Sequence, residues 1–164
     1  MAFTGISVKD VMTKDVKTIE KGSKVRDCVA LMHTYRIGCV IVVEGRKPVG
    51  IFTERDLVRI VATERDGLEL STEKVMSTPL TTISSSASIW DAVMVMGGKG
   101  IRRLPAVERE MLVGIVTEKD IFRLVFARKD LILEAISESL PFQARAELER
   151  FIGQSFGGAG PRTR

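Results

Sequence analysis

The strongest constraint on this chain is an internal repeat. When the 164-residue sequence is shifted by 64 positions, residues 11–61 align with residues 75–125 without a gap, and 18 of these 51 positions are identical. About three identities would arise by chance, so the match indicates a duplicated unit. A unit of about 55 residues has a thin core and an uncovered sheet face, and two units can cover each other.

Each copy carries the same order of local patterns. Spacing of i, i+3, i+4, i+7 predicts one helix per copy, with the stripes Val25, Cys28, Val29, Met32 and Ile89, Ala92, Val93, Met96. Ser23 and Ser86 stand just before these stripes and are expected to cap them. β-rich runs follow at 39–43 and 49–52, and at 104–107 and 112–116. A second helix has the apolar faces Leu57, Ile60, Val61 and Ile121, Leu124, Val125.

These patterns predict an α/β (α+β) fold. Each copy reads β-α-β-β-α with a short lead-in strand, and the two copies are expected to pack sheet to sheet with pseudo-two-fold symmetry and two equivalent clefts. The predicted boundaries are repeat 1 at 8–62, a linker at 63–71 and repeat 2 at 72–126. A C-terminal helical extension at 127–152 and a flexible tail at 153–164 follow.

Composition excludes several classes of protein. The chain is 45% hydrophobic and 28% charged, as in ordinary globular proteins, and no apolar run is long enough for a membrane span. The N-terminus lacks the pattern of a signal peptide, and the two cysteines form no motif, so a cytoplasmic protein is expected. The net charge of +4 comes without a long basic run, which makes nucleic acid an unlikely partner. A single histidine disfavours a metal site.

The most specific local motif is Gly-Ile-Phe-Thr-Glu-Arg-Asp at 50–56, with its twin Gly-Ile-Val-Thr-Glu-Lys-Asp at 114–120. Both run from a strand into a helix. One interpretation is purely structural, because a threonine followed three residues later by an acid forms a capping box. The other is a binding site, because a helix N-terminus attracts phosphate, an acid can accept bonds from a ribose diol, and Arg55 or Lys119 can meet phosphate charge.

This duplicated motif resembles the signature of the cystathionine-β-synthase (CBS) domain. The lead-ins Val11-Met12 … Val16-Lys17-Thr18-Ile19 and Val75-Met76 … Leu80-Thr81-Thr82-Ile83 resemble it too. The resemblance covers residues 8–126 and implies a CBS pair, or Bateman module. It implies a regulatory ligand such as AMP, ADP, ATP or S-adenosylmethionine between the repeats, no required cofactor, no enzymatic activity and a homodimer.

The resemblance also assigns roles to individual residues. It places the ribose-binding acid at Asp56 and Asp120 and the accompanying hydroxyl at Thr53 and Thr117. The residues beside the adenine are Thr18, Ile19, Thr82 and Ile83. The start of the second strand differs between copies. In the second copy, Gly100-Ile101-Arg102-Arg103-Leu104-Pro105 resembles family members that aim basic residues at phosphates. In the first copy, Gly38 and Cys39 could line the adenine edge by backbone contact. Arg102 and Arg103 are expected to point to opposite faces of a strand, so that one of them reaches a ligand.

Two other functions remain open at this point. The chain could be a structural or protein-interaction module without a small-molecule ligand, the carboxylates serving as helix caps alone. It could also bind nucleic acid weakly through the first copy and the basic tail. The C-terminal extension has no catalytic signature and could cover a dimer face or dock an effector protein.

Overall fold

The structure, a computed structural model, describes residues 5–127. The chain divides into two compact units. One unit, Gly5–Phe122, contains both repeats up to the middle of the last helix; the other comprises Met1–Thr4 and Arg123–Arg164, of which residues 123–127 are described. The predicted C-terminal helix and tail lie outside the described residues, except for residue 127.

The helices and strands follow the duplicated order that the sequence predicts. The first copy contains α1 (Val8–Val11), β1 (Thr18–Glu20), α2 (Val25–Tyr35), β2 (Cys39–Glu44), β3 (Lys47–Thr53) and α3 (Glu54–Thr63). The second contains β4 (Ile83–Ser84), α4 (Ile89–Lys99), β5 (Arg103–Glu108), β6 (Met111–Thr117) and α5 (Glu118–Ala127). Short 3₁₀ turns lie at Gly67–Glu69 and Thr72–Lys74.

Each copy forms a three-stranded sheet, and the two sheets share one register. The order is β1-β2-β3 in one and β4-β5-β6 in the other, with the first pair parallel and the second antiparallel. Cys39 pairs with Thr53, and 64 residues later Arg103 pairs with Thr117. The register shifts between Val42 and Val43 in one sheet and at the equivalent step in the other. The duplication therefore extends to backbone detail.

Strand alternation in the first copy supplies two apolar layers. Val40 and Phe52 are fully buried on the side covered by α2 and α3, where they join Val25, Cys28, Met32 and Ile60. Ile41 and Val43 lie on the other side and pack with Ile115 of the second sheet. The sheets thus face each other across a shared core, which confirms the predicted sheet-to-sheet packing.

Each copy is completed by the lead-in of the other. Thr13 pairs with Ile115, exchanging two backbone hydrogen bonds of 2.9 Å, and Ser77 pairs with Ile51 in the same way. Ser7 pairs with Ser88, and its twin Ser71 pairs with Lys24. Both pairs of bridges are related by the 64-residue shift, so the pseudo-two-fold symmetry is reciprocal and includes the lead-ins.

Glycines make this exchange possible. A β-carbon at Gly50 would overlap the Met76 sulfur and lie 2.8 Å from its Cγ, and one at Gly114 would meet Met12 in the same manner. Each methionine belongs to one lead-in and each glycine to the last strand of the opposite copy. The glycines are needed here for close approach between the repeats.

Several local predictions need correction. α4 is capped by Ser88, whose Oγ accepts from the Asp91 backbone N–H at 3.1 Å, rather than by Ser86. Lys24, rather than Ser23, is the N-cap residue of α2. Val61 was expected on the buried face of α3 but is 67% exposed, because Asp56 and Ile60 occupy the centre of that face and Val61 lies a quarter turn away.

The Met–Gly contacts predict a specific mutational pattern. We expect Gly50→Ala to lower the free energy of unfolding by about 1–3 kcal/mol, because the new methyl group overpacks the contact with Met76. The double variant Gly50→Ala/Met76→Ala should lose less than the sum of the single variants, as measured by urea denaturation. The control is Gly97→Ala on exposed α4, where a β-carbon meets nothing within 4 Å, and a gain of about 0.5–1 kcal/mol is expected. Additive losses would contradict the assignment.

Cys28 predicts a pH effect. Its side chain is fully buried, and burial raises the pKa of the thiol to about 11. The folded state therefore holds the thiol proton more tightly than the unfolded state, and the unfolding free energy should fall as pH rises from about 9 towards 11. Cys28→Ala removes the thiol and with it this pH dependence of the unfolding free energy. Urea titrations should show a steeper alkaline loss in the wild type than in the variant; parallel curves would refute the prediction.

Candidate functional site

A cleft of about 200 Å³ opens between the two copies. Its first wall is the end of β3 and the start of α3, and its second is the lead-in of the second copy. The third wall is the segment between α4 and β5. The lining residues are Ile51, Thr53, Arg55, Ser77, Pro79, Leu80, Thr81, Gly100, Ile101, Arg102 and Arg103.

The first wall is held by a capping box. Thr53 ends β3, and the carboxylate of Asp56 accepts hydrogen bonds from the Thr53 backbone N–H at 2.9 Å and its hydroxyl at 2.7 Å. The Thr53 hydroxyl in turn accepts from the Asp56 backbone N–H at 3.4 Å. This arrangement fixes the first turn of α3 and leaves Arg55 exposed at the cleft. The motif therefore forms the capping box that its sequence predicts.

The carboxylate of Asp56 also reaches across to the second copy. Asp56 is 7% exposed, and its second oxygen accepts from Arg59 Nη2 at 3.3 Å and from Ser77 Oγ at 3.4 Å. Ser77 belongs to the opposite lead-in and lines the cleft. Asp56 itself is not among the residues that line the cleft, and it is linked to the lining through this Ser77 hydroxyl. The acid is buried at the junction of the repeats, not turned into bulk solvent.

The second wall is placed by the exchanged lead-in. Ser77 is held by its two backbone bonds to Ile51, and Arg59 donates to the Val75 carbonyl at 2.8 Å. Pro79, Leu80 and Thr81 then run along the cleft before β4 begins at Ile83. These three residues precede the strand, so the hydrogen bonds between β4 and β5 do not fix their positions.

The third wall carries the basic residues. α4 ends at Lys99, and Gly100 turns the chain with a φ of 62°. Arg102 lies one residue before β5, and its carbonyl accepts from the Glu118 backbone N–H at 3.0 Å. Arg103 is the first residue of β5. Both arginines line the cleft. Strand alternation does not separate them at the cleft, because Arg102 precedes the strand; which of them reaches a ligand stays a prediction.

Arg103 also occupies the seam between the copies. A β-carbon at Gly38 would lie 2.8 Å from Arg103 Nη2 and 3.0 Å from Glu54 Oε2. Neighbouring Cys39 is half-buried, and burial raises the pKa of its thiol although the nearby Arg103 charge opposes the shift. Cys39 therefore stays protonated at neutral pH and contributes no charge to this region.

The sequence comparison identifies the family of this duplicated fold. The pattern of the CBS domain matches residues 8–63 and again residues 72–127. The chain belongs to the CBS domain family. This confirms the resemblance drawn from the Thr-x-x-Asp motif and the lead-ins.

Relatives and solved structures agree with this assignment. The chain is 38% identical over 116 residues to the CBS domain-containing protein YhcV of Bacillus subtilis, covering 70% of this chain and 82% of that protein. It is 37% identical over 122 residues to protein MK0525 of Methanopyrus kandleri, covering 73% of this chain and 62% of that protein. The CBS domain pair of protein MJ0100, solved with methylthioadenosine and S-adenosylmethionine, is 25% identical with a TM-score of 0.66 and covers 72% of this chain and 98% of that one.

The CBS pair brings together only some of the residues that the sequence nominated. Thr53, Arg55, Arg102 and Arg103 line one cleft. Thr82 and Ile83 do not line it: Thr82 is exposed, and Ile83 is buried in β4. Pro105 is fully buried opposite Ile115, away from the lining.

The nominated residues of the first copy's strands are dispersed. Thr18 lines a separate cleft of about 210 Å³ beside the β2–β3 turn, together with Lys14 and Arg46. Ile19 packs against the core under α2. Gly38 and Cys39 lie next to Arg103 at the seam.

The second Thr-x-x-Asp motif repeats the capping geometry. The Asp120 carboxylate accepts from the Thr117 N–H at 2.9 Å and from the Thr117 hydroxyl at 2.6 Å. Thr117 and Asp120 are half-buried, and Lys119 is exposed like its twin Arg55. None of these three residues lines either of the two clefts described above.

Sequence reasoning missed the contribution of Ser77, Pro79, Leu80 and Thr81. One signal was available: Pro79 cannot donate to a ladder, so the segment before β4 had to run outside the sheet. The partner of that segment could not be read from one sequence, because the lead-in crosses to the other copy.

Residues 5–127 contain no group of three or more histidine, cysteine or acidic side chains placed to hold a metal ion. Within the same range, none of the helices combines the length and apolar character needed to cross a bilayer.

Proposed function

We propose that the chain is a regulatory module that binds an adenosine ligand in the cleft between its repeats. The observation that carries the proposal is the composition of the cleft: the Thr53 capping box of one copy faces the lead-in and the arginine-bearing strand start of the other. A ligand here would contact both copies at once. It could therefore favour one arrangement of the copies, or of two such modules, over another. The size of this shift is set by the difference in the ligand's affinity for the two arrangements.

Three walls suit the three parts of an adenosine ligand. The helix N-terminus at Glu54 and the guanidinium groups offer positive potential to an anionic group. Ser77, backed by Asp56, offers a hydroxyl beside a buried carboxylate for a ribose diol. Leu80 and Ile101 provide apolar surface for a base. The solved MJ0100 pair with methylthioadenosine and S-adenosylmethionine supports this class of ligand.

A matched pair of variants distinguishes binding from capping. Asp56 and Asp91 form the same capping box, the Asp91 carboxylate accepting from Ser88 N–H at 3.1 Å and from its hydroxyl at 2.7 Å. Asp91→Ala should lower the unfolding free energy by about 0.5–2 kcal/mol and leave ligand affinity unchanged. Asp56→Ala should lose at least as much stability and also weaken binding about tenfold or more in calorimetry with AMP, ADP, ATP and S-adenosylmethionine.

A second variant, which fills the cleft with a bulky side chain, tests binding even if Asp56→Ala does not fold. Thr81→Trp should abolish binding, whereas Thr82→Trp, one residue further along, should retain it. For the wild type, a ligand at 100 times its dissociation constant should stabilise the fold by about 2.7 kcal/mol. If none of the four compounds binds the wild type, the proposal fails.

The proposed module acts as a homodimer through its last helices. Val58 of α3 and Phe122 of α5 are equivalent under the 64-residue shift, and they are 70% and 53% exposed. Exposed apolar side chains at equivalent positions of the two repeats favour a second copy of the chain as the partner that covers them. In a symmetric dimer, each chain can cover both helices of the other by equivalent contacts.

Light scattering after size-exclusion chromatography tests this assembly. The wild type is expected as a dimer of about 36 kDa, twice the 18.1 kDa chain. Val58→Glu/Phe122→Glu should shift it to a monomer, because the charges cannot be buried unpaired. Met111→Glu, at an exposed apolar residue of the β5–β6 hairpin, should leave the dimer intact. A dimer that persists in the double variant would place the interface elsewhere.

A further inference from the structure

Arg59 of α3 joins two parts of the junction between the repeats. Its Nη2 donates to Oδ1 of Asp56 at 3.3 Å and to the Val75 carbonyl at 2.8 Å. Asp56 belongs to the capping box of the first copy, whereas Val75 belongs to the lead-in of the second, two residues before Ser77. One guanidinium nitrogen therefore bonds to both copies. The Arg59 side chain is 54% exposed and is not part of the cleft lining.

The two oxygens of Asp56 have different partners. Oδ2 belongs to the capping box, where it accepts from the backbone N–H and the hydroxyl of Thr53 at 2.9 and 2.7 Å. Oδ1 faces the junction and accepts from Arg59 and, at 3.4 Å, from Ser77 Oγ. Both bonds to Oδ1 are longer than is usual for their type, so they hold it less firmly than the cap holds Oδ2. The geometry on the junction side of the carboxylate therefore depends on Arg59.

The direction of the Ser77 bond decides what this hydroxyl offers to the cleft. A serine hydroxyl has one hydrogen, and a carboxylate can only accept, so the Ser77 hydrogen points to Asp56. Ser77 lines the cleft, and its oxygen has acceptor lone pairs left for a ligand. A ligand hydroxyl that donates to this oxygen would extend a chain of hydrogen bonds ending at the carboxylate, and the members of such a chain strengthen one another.

We propose that Arg59 is a positioning residue for the ligand site, and that through Asp56 and Ser77 it enables the site to recognise a hydroxyl donor of the ligand's ribose. The inference rests on the proposed function and adds to it a residue outside the cleft. Arg59 acts through its two bonds. It orients Oδ1 of Asp56 toward Ser77, and it holds the Val75 carbonyl, which lies two residues before Ser77. Its charge persists at all physiological pH values.

The duplication retains every member of this chain of hydrogen bonds. When the sequence is shifted by 64 positions, the acid, the guanidinium and the hydroxyl each have a counterpart of the same chemistry, at Asp120, Arg123 and Thr13. A capping box needs only the threonine and the acid. Capping therefore does not explain why both copies have an arginine three residues after the acid, or why both lead-ins have a hydroxyl at this position.

Calorimetry on the full chain with AMP and its 2′,3′-dideoxy analogue tests the proposal. The wild type should bind AMP about tenfold or more tighter, because the analogue has no ribose hydroxyl to donate and hydrogen bonds that involve a charged group are strong. Arg59→Gln should weaken the binding of AMP until the two affinities are nearly equal, while the affinity for the analogue stays unchanged. A role in stability alone would change both affinities by the same factor or leave both unchanged.

Arg26→Gln is the matched control. The Arg26 side chain lies on α2, is 56% exposed and pairs with Glu69, so its loss also removes an exposed ion pair. This variant should keep the wild-type preference for AMP. Ser77→Ala retains the backbone bonds to Ile51 but removes the hydroxyl, and it should lose the same preference as Arg59→Gln. Adding Arg59→Gln to Ser77→Ala should then cause no further loss, because both act on one chain of hydrogen bonds.

The outcomes separate this inference from the proposed function. Full preference for AMP in Arg59→Gln, additive losses in the double variant, or equal binding of the two compounds by the wild type would each overturn the role of Arg59 while leaving an adenosine-binding module. If the wild type binds neither compound, the proposed function and the inference both fail. Melting temperatures show that each variant is folded. Should Arg59→Gln not fold, Arg59→Lys takes its place, and it should lose part of the preference for AMP; full retention would overturn the role.

Discussion

The sulfur of Met76 lies where a β-carbon on Gly50 would have to be, and Met12 takes the same place at Gly114. These two contacts, with the neighbouring backbone bridges, hold each lead-in against the last strand of the opposite copy. Neither copy can form its complete fold alone, because Val75 of the second lead-in belongs to the core of the first. Residues 5–122 consequently form one compact unit, and the cleft between the copies takes its walls from both of them.

The reciprocal lead-ins also explain why the cleft draws residues from three distant segments. Ile51 pairs with Ser77 of the opposite lead-in, and Thr53 ends the same strand two residues later. The capping box and the opposite lead-in therefore lie next to each other. The hydrogen bond between Ser77 and Asp56 spans the junction. A ligand that displaced or joined this contact would act on the link between the copies, which is where a regulatory signal has to act if it is to change their arrangement.

The sequence alone predicts the elements well because the duplication gives each pattern twice. The apolar stripe of α2 is buried as expected, at Val25, Cys28 and Met32, and the hairpin strands extend the predicted runs by one or two residues at their ends. α1 and the 3₁₀ turn at Thr72–Lys74 escaped prediction because they are only one turn long. The side chains of the cleft were harder to predict: Thr53 and Arg55 follow from a local motif, whereas Ser77 and Leu80 depend on a crossing between copies that leaves no periodic signal.

The seam at Gly38 shows how packing between the copies can require different residues at equivalent positions of a duplicated fold. The starts of β2 and β5 occupy equivalent positions, and the guanidinium of Arg103 lies within 2.8 Å of where a β-carbon of residue 38 would be. Two arginine pairs placed symmetrically there would compete for the same volume and repel each other at close range. A glycine on one side and an arginine on the other relieves both problems. The different residues at these two equivalent positions are therefore a consequence of packing at the seam between the copies.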